Sequence, residues 1–151
     1  MGRVEKTIEV KAPPEKVWEM LAFDKFPEWQ VGYRDLKSVD YTSQVSTPKD
    51  KYRVGASAHG VPKKQEKSIK HFFEITESLE NEKITHRMYG QYRALVTFTL
   101  EPVAEGTKFM YMVDYETPWG ILGKILSPLV HIVMKREVDR DLKGLKSILE
   151  K

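Results

Sequence analysis

The stretch Thr117-Pro118-Trp119-Gly120 and the sequence that follows it, ILGKILSPLVHIVMKREVDRDLKGLKSILEK (121–151), decide the predicted fold. Two chain-breaking residues and a tryptophan come first, and after Pro128 the chain holds no further proline. Apolar residues recur here every three or four positions, which predicts one long amphipathic helix. The stripe consists of Leu122, Leu126, Val130, Met134, Val138, Leu142, Leu145 and Leu149.

The two halves of this helix differ in the face opposite the stripe. Before Lys135 that face is also apolar, and after Lys135 it is charged. We therefore expect the first half to be enclosed more fully than the second, and the charged residues to face solvent. The apolar residues are Ile121, Ile125, Leu129, Ile132 and Val133; the charged ones are Arg136, Glu137, Asp139, Arg140 and Lys143.

The chain before the helix alternates between apolar and polar residues, as half-buried strands do. The alternation is clearest over 3–10, 68–79, 84–89, 92–100 and 109–116, and further strands are predicted over 36–41 and 52–58. Short turns between successive strands indicate antiparallel pairing. Pro13-Pro14-Glu15 and Asp24 open two short helices after the first strand. The predicted class is α+β, with a curved antiparallel sheet of about seven strands wrapped around the C-terminal helix.

Composition excludes several classes of function. The 151 residues suit a single domain, 1–151, and the absence of cysteine excludes disulfides and thiolate metal sites. The 25 Lys and Arg residues are interspersed with 22 Asp and Glu residues, so no nucleic-acid partner is expected. No apolar run approaches the roughly 20 residues of a membrane span, so we expect no stable membrane insertion and a cytoplasmic protein. No phosphate-binding loop or nucleophile motif is present, and neither a cofactor nor a metal is expected.

A hollow between sheet and helix is the predicted functional site. Large side chains recur on one face of the strands, and for any single one of them a place in the core is the favoured interpretation. Several of these side chains end in a hydroxyl or imidazole group, which favours a ligand pocket over a solid core, because ligand pockets are mostly apolar with a few positioned polar groups. The candidate ligand-binding residues are His71, Phe73, His86, Met88, Tyr92, Phe98, Tyr111, Trp119, Leu122, Leu126, Val130 and Met134.

Several of these residues leave alternatives open. His71 and His86 lie on the apolar face of adjacent strands, where they could be structural, contact a ligand or, with a third ligand, hold a metal. Trp119 could pack at the corner before the helix or gate the opening. Phe26 and Trp29 fit either the core or the rim. Arg87 and Arg93 could polarise a ligand carbonyl only if the strand faces were reversed.

Three local motifs resemble a known superfamily. They are Ile8-Glu9-Val10 with Ala12-Pro13-Pro14-Glu15-Lys16-Val17-Trp18, then Asp24 with Phe26-Pro27-Glu28-Trp29, and Tyr115-Glu116-Thr117-Pro118-Trp119-Gly120 with Leu122-Gly123. Together with the element order, they resemble the polyketide cyclase/dehydrase and lipid-transport superfamily (SRPBCC), START-related proteins with the helix-grip fold. The resemblance covers essentially the whole chain.

The resemblance implies a cavity between the sheet and the last helix that holds a hydrophobic or amphipathic small molecule. Binding or transport of a lipid, quinone or polyketide-like molecule is the primary hypothesis. An enzyme of cyclase or dehydrase type is one alternative, and a module that binds a protein partner is another. Fold alone does not choose among these functions, and it leaves catalytic residues and oligomeric state open.

Overall fold

The computed structural model describes residues 2–63, 70–90, 93–116 and 120–151, with side chains described from residue 124 onward in the last segment. The first strand, β1 (Gly2–Val10), is followed by the short helices α1 (Pro14–Glu19) and α2 (Phe26–Trp29). Single 3-10 turns lie at Phe23–Lys25 and Val31–Tyr33. The remaining elements are β2 (Leu36–Tyr41), a 3-10 turn at Pro48–Lys51, β3 (Ser57–Pro62), β4 (Phe72–Leu79), β5 (Lys83–Tyr89), β6 (Arg93–Val103), β7 (Gly106–Glu116) and α3 (Gly120–Leu149).

The strands form one antiparallel sheet of seven, in the order β1-β7-β6-β5-β4-β3-β2. The alternating residues predicted to face inward do so in β6 and β7: Ala94, Val96, Phe98 and Leu100, and Phe109, Tyr111, Val113 and Tyr115, are all buried. Burial of one strand face fixes the register, because a slip of one residue would expose the whole set. The α+β class, the sheet and the two short helices are confirmed.

The strand predicted over 52–58 is wrong in its first half. Thr47 and Asp50 form a reciprocal capping box around Pro48, and this stabilises a 3-10 turn at Pro48–Lys51, immediately before the position where the strand was expected to begin. Gly55 then adopts a positive φ of 90°, which a side chain would disfavour, and the strand begins at Ser57. Residues 52–55 therefore form a turn that ends at Gly55, despite the alternation of Tyr52 and Val54.

An aromatic core fills the space behind α1 and α2. Phe26 and Trp29 are fully buried, so both belong to the core and neither lies at a rim. The Trp29 indole N–H donates to the backbone carbonyl of Met20 at 2.8 Å, which satisfies its polar atom. The other large members of this core are Phe23, Phe73, Phe98 and Phe109.

The second half of α3 packs closely on the body of the protein. Met134, Val138, Leu142 and Leu145 are buried in the order that the stripe predicts. At Gly144 the helix lies so close to α2 that an added Cβ atom would stand 2.8 Å from the Trp29 carbonyl oxygen. Glycine is required there by proximity, since no side chain fits without moving one of the two helices.

The first half of α3 is more exposed than the second, so the opposite expectation is wrong. Ile125 and Leu129 are 69% and 61% exposed, and Ile132 and Val133 are each 48% exposed. Trp29 of α2 and Val31 in the following 3-10 turn contact α3 at Gly144 and Asp141, in its second half. No described element covers the outer side of the first half of α3. No helix among the described residues is long and apolar enough to cross a bilayer.

Candidate functional site

A cavity of about 80 Å³ lies between the middle of the sheet and α3. Strands β5, β6 and β7 supply one wall, α3 supplies the opposite wall, and the chain from Gln30 to Tyr33 closes one side. Its apolar lining residues are Met88, Val96, Val113, Met134 and Val138, and its polar ones are Gln30, Tyr33, His71, Tyr111, Glu137 and Asp141. The space is smaller than the roughly 300–1,000 Å³ of common ligand pockets, so it accommodates only one end of a larger molecule.

Asp141 is the buried acid of this cavity, with 4% of its surface exposed. Its carboxylate accepts a hydrogen bond from the Val31 backbone N–H at 2.8 Å and another from the Tyr111 hydroxyl at 2.9 Å. Burial raises the pKa of Asp141 to about 7, and these two hydrogen bonds offset part of that increase. Asp141 therefore links three elements and changes its charge near neutral pH.

Two polar atoms in the cavity wall have no hydrogen-bond partner. They are Nε2 of Gln30, a residue that is only 5% exposed, and Nδ1 of His71. Leaving a buried donor unpaired costs about 1–3 kcal/mol, so such atoms are normally satisfied by water or a ligand. Both residues line the same small space, which makes that space a candidate for a polar group supplied from outside the chain.

His71 is held in place by its ring contacts. Its ring meets the Tyr33 ring edge-on, with centroids 5.2 Å apart. On another side it lies against Gly90, where an added Cβ would stand 2.9 Å from Nδ1. Burial lowers the pKa of His71, so the imidazole is neutral at physiological pH and either donates or accepts through Nδ1.

The cavity also holds an acid and two adaptable side chains. The sequence predicted that Glu137 faces solvent, but it lines the cavity. Burial raises the pKa of its carboxyl group. Met88 of β5 and Met134 of α3 both line the space, and the Met88 sulfur accepts a hydrogen bond from the Tyr33 hydroxyl. Methionine is unbranched and fills irregular gaps, so these two walls can repack around an occupant at small cost.

The sequence-predicted residues divide into three groups. His71, Met88, Tyr111 and Met134 line the cavity. Phe73, His86 and Phe98 pack within the aromatic core, outside the lining, while Leu126 and Val130 are half-buried on α3, toward its start. Tyr92, Trp119 and the side chain of Leu122 lie outside the residues that the structure describes. Ligand contact by any of these residues stays a prediction.

The two histidines are separated by an aromatic ring. Phe73 lies between them, with its centroid 6.4 Å from that of His71 and 6.1 Å from that of His86. His86 is enclosed by Phe23, Phe26 and Phe98 as well, and burial lowers its pKa to about 3. Within the described segments, no three His, Asp or Glu side chains converge in a metal-binding arrangement.

Sequence reasoning missed four polar cavity residues, Gln30, Tyr33, Glu137 and Asp141, and the lining valines Val96, Val113 and Val138. Asp141 did carry a signal, because it stands within the apolar stripe between Val138 and Leu142 on the helix that faces the sheet. A charge in that position either breaks the stripe or serves a buried site. Gln30 and Tyr33 carried no comparable signal, since they follow α2 in a stretch without regular periodicity.

A larger depression of about 540 Å³ lies on the outer face of the sheet, but its chemistry is that of a solvated surface. Arg3 pairs there with Asp114 at 2.6 Å, and both side chains are partly exposed. Arg87 and Arg93 also belong to this outer face and are exposed, so they do not point toward the cavity. Alternating charges across neighbouring strands account for this surface without a ligand.

A seven-stranded antiparallel sheet wrapped around one long helix, with an internal cavity between them, defines a helix-grip protein. The family model described as polyketide cyclase/dehydrase and lipid transport matches residues 1–150. The chain therefore belongs to this family, as its motifs indicate. No curated protein matches the sequence significantly.

Solved structures with the same fold cover almost the whole chain. A START superfamily protein from Mycobacterium smegmatis has a TM-score of 0.74 at 19% identity, and the match covers 98% of this chain and 97% of the Mycobacterium chain. A protein from Thermus thermophilus has a TM-score of 0.69 at 21% identity, covering 97% and 95%. The Aha1 dimer from Colwellia psychrerythraea has a TM-score of 0.64 at 18% identity, covering 99% and 97%. Identities this low show a common fold only.

Proposed function

We propose that this protein binds a lipophilic small molecule whose polar end enters the cavity between the sheet and α3. The observation that carries the proposal is the pair of unpartnered polar atoms, Gln30 Nε2 and His71 Nδ1, in one cavity with apolar walls. A ligand that pairs with them removes the cost of leaving these buried atoms unpaired. The match to a family of polyketide cyclases and lipid carriers agrees with such a ligand.

The small volume is consistent with a ligand that is only partly enclosed. An apolar cavity of about 150 Å³ is enough to hold benzene, so about 80 Å³ holds a polar head and few carbons. Further room along α3 is apolar, because Val130 and Leu126 stand one and two turns before Met134 and are half-buried. Repacking of Met134 and Met88 would open the cavity toward these residues.

A direct test is native mass spectrometry of protein purified without organic solvent. The wild type is expected to carry a non-covalent adduct that extraction identifies as a lipophilic molecule. Met134→Trp, which fills the cavity from α3, is expected to remove the adduct. Ile132→Trp places the same side chain on the exposed side of the same helix and should retain it. Equal adduct in all three proteins, or none in the wild type under mild conditions, would contradict the proposal.

Catalysis on such a ligand is a second candidate, favoured by the pair of Asp141 and Tyr111. An acid whose pKa is about 7 exchanges protons readily near neutral pH, which is the property of a general acid or base. However, each carboxylate oxygen already accepts a hydrogen bond, one from the Val31 N–H and one from the Tyr111 hydroxyl, which suits a structural link between α3 and the sheet. Turnover of the extracted ligand by the wild type, and its loss in Tyr111→Phe with unchanged melting temperature, would favour the enzyme.

A further inference from the structure

We infer that the molecule in this cavity presents an uncharged hydrogen-bond acceptor, of the ketone, quinone or ester carbonyl class, to Gln30. The inference rests on the proposed ligand-binding function and narrows the chemistry of the ligand. It depends on the donors in the cavity wall and on the charges around them.

The first argument is the direction of the missing hydrogen bond. Nε2 of Gln30 carries two N–H groups and no lone pair to share, so only an acceptor satisfies it. His71, which lines the same space, is neutral and, in the tautomer that carries the proton on Nδ1, has an unpaired N–H as a second candidate donor. A carbonyl oxygen has two lone pairs and accepts from two such donors at once.

The second argument is the charge of the lining, which disfavours an anionic head group. The described lining contains two acids, Glu137 and Asp141, and no lysine or arginine. The nearest cations act from outside it, Arg34 on Asp141 and Arg140 on Glu137, and neither reverses the effect of burial. A carboxylate or phosphate would therefore lose its hydration beside two acids without gaining a cationic partner.

The third argument concerns an amine, which the acids alone would attract. Its N–H groups would face the N–H groups of Gln30, so that donor would remain unpaired. Asp141 already accepts one hydrogen bond at each oxygen, from the Val31 N–H and from the Tyr111 hydroxyl, so an amine would have to share these acceptors or pair with Glu137. A neutral acceptor satisfies Gln30 and leaves the existing hydrogen bonds of Asp141 in place.

The test compares three unbranched probes of ten carbon atoms each: methyl octyl ketone, decanoic acid and decylamine. Binding to the intact protein is measured by isothermal titration calorimetry at neutral pH. The ketone is expected to bind most tightly. In Gln30→Leu, which keeps the side-chain bulk and removes the donor, the affinity for the ketone should fall by roughly tenfold, as for loss of one buried hydrogen bond.

Controls separate the ligand class from the function itself. The fold of Gln30→Leu is checked by its melting temperature, and His71→Phe provides a second variant that removes the other donor. Met134→Trp should abolish binding of every probe. Tighter binding of the acid or the amine, lost in Met134→Trp, would overturn the carbonyl inference while supporting a cavity ligand. Absence of binding by all three probes would contradict both the inference and the proposed function.

Discussion

Asp141→Asn tests whether a buried carboxyl group lies in the cavity wall. The pKa of Asp141 is about 7 in the folded protein, against an ordinary value of 3.8 for the unfolded chain. Because the folded value is the higher one, the carboxyl contributes most to stability when it is protonated. That contribution is complete below about pH 4 and is lost as the pH rises through about 7.

The difference between the two pKa values corresponds to a pH-dependent contribution of about 4 kcal/mol to the free energy of unfolding if burial is complete. Residual hydration of the carboxyl group brings this contribution to about 2–4 kcal/mol. Asparagine has the same shape. Its carbonyl oxygen accepts from Val31 N–H, and its amide group donates to the Tyr111 oxygen, so both contacts survive without a titrating proton. The variant should therefore gain stability relative to the wild type as the pH increases.

The measurement is urea denaturation of both proteins at several pH values between about 4.5 and 8. The difference in the free energy of unfolding, variant minus wild type, should grow by about 2–4 kcal/mol across this range and level off above about pH 7. Other titrating groups, His86 among them, are present in both proteins and cancel in the difference. Parallel profiles would show that Asp141 is solvated and would refute the description of the cavity wall.

Three further perturbations test the packing. His86 is buried as the neutral imidazole, and burial lowers its pKa to about 3. The wild type should therefore lose stability as the pH falls below about 6.5. His86→Phe should lose less stability than the wild type, as measured by thermal melting at acid pH. Gly144→Ala brings a Cβ against the Trp29 carbonyl and should cost roughly 1–3 kcal/mol by chemical denaturation; an unchanged midpoint would mean that the helices are farther apart. Met134→Ala should lower the free energy of unfolding by about 2–4 kcal/mol, because Met134 is buried. Leu129→Ala, on the exposed side of α3, should change it by less than about 0.5 kcal/mol. Equal effects of the two substitutions would mean that α3 packs on the sheet through a different face.

The fold could be predicted because its main determinants are periodic. Alternation along β6 and β7 and the three-to-four spacing from Met134 to Leu145 each specify one buried face, and burial of that face is what the tertiary structure provides. The exceptions have local causes. The turn that ends at Gly55, with its positive φ, delays the start of a strand to Ser57. Periodicity gave no information about which side of the first half of α3 other elements would cover.

The candidate site was less accessible to sequence reasoning. His71, Met88, Tyr111 and Met134 were assigned through the face of the element that carries them, and all four line the cavity. The polar groups that define its chemistry depend on contacts distant in sequence. Asp141 is bonded to residues that lie 110 and 30 positions away. Gln30 is buried because α2, which it follows, packs against the core. The local sequence pattern does not predict this packing.

Methionine methyl NMR would test the central claim most directly, because methionines stand both inside and outside the proposed site. Met88 and Met134 line the cavity, whereas Met112 lies on β7 with the opposite orientation to Tyr111 and Val113. On titration with methyl octyl ketone, the methyl signals of Met88 and Met134 should shift together and saturate, while that of Met112 stays in place. Saturable shifts confined to Met112, or no shift at Met88 and Met134, would show that the space between sheet and helix receives no ligand of this kind.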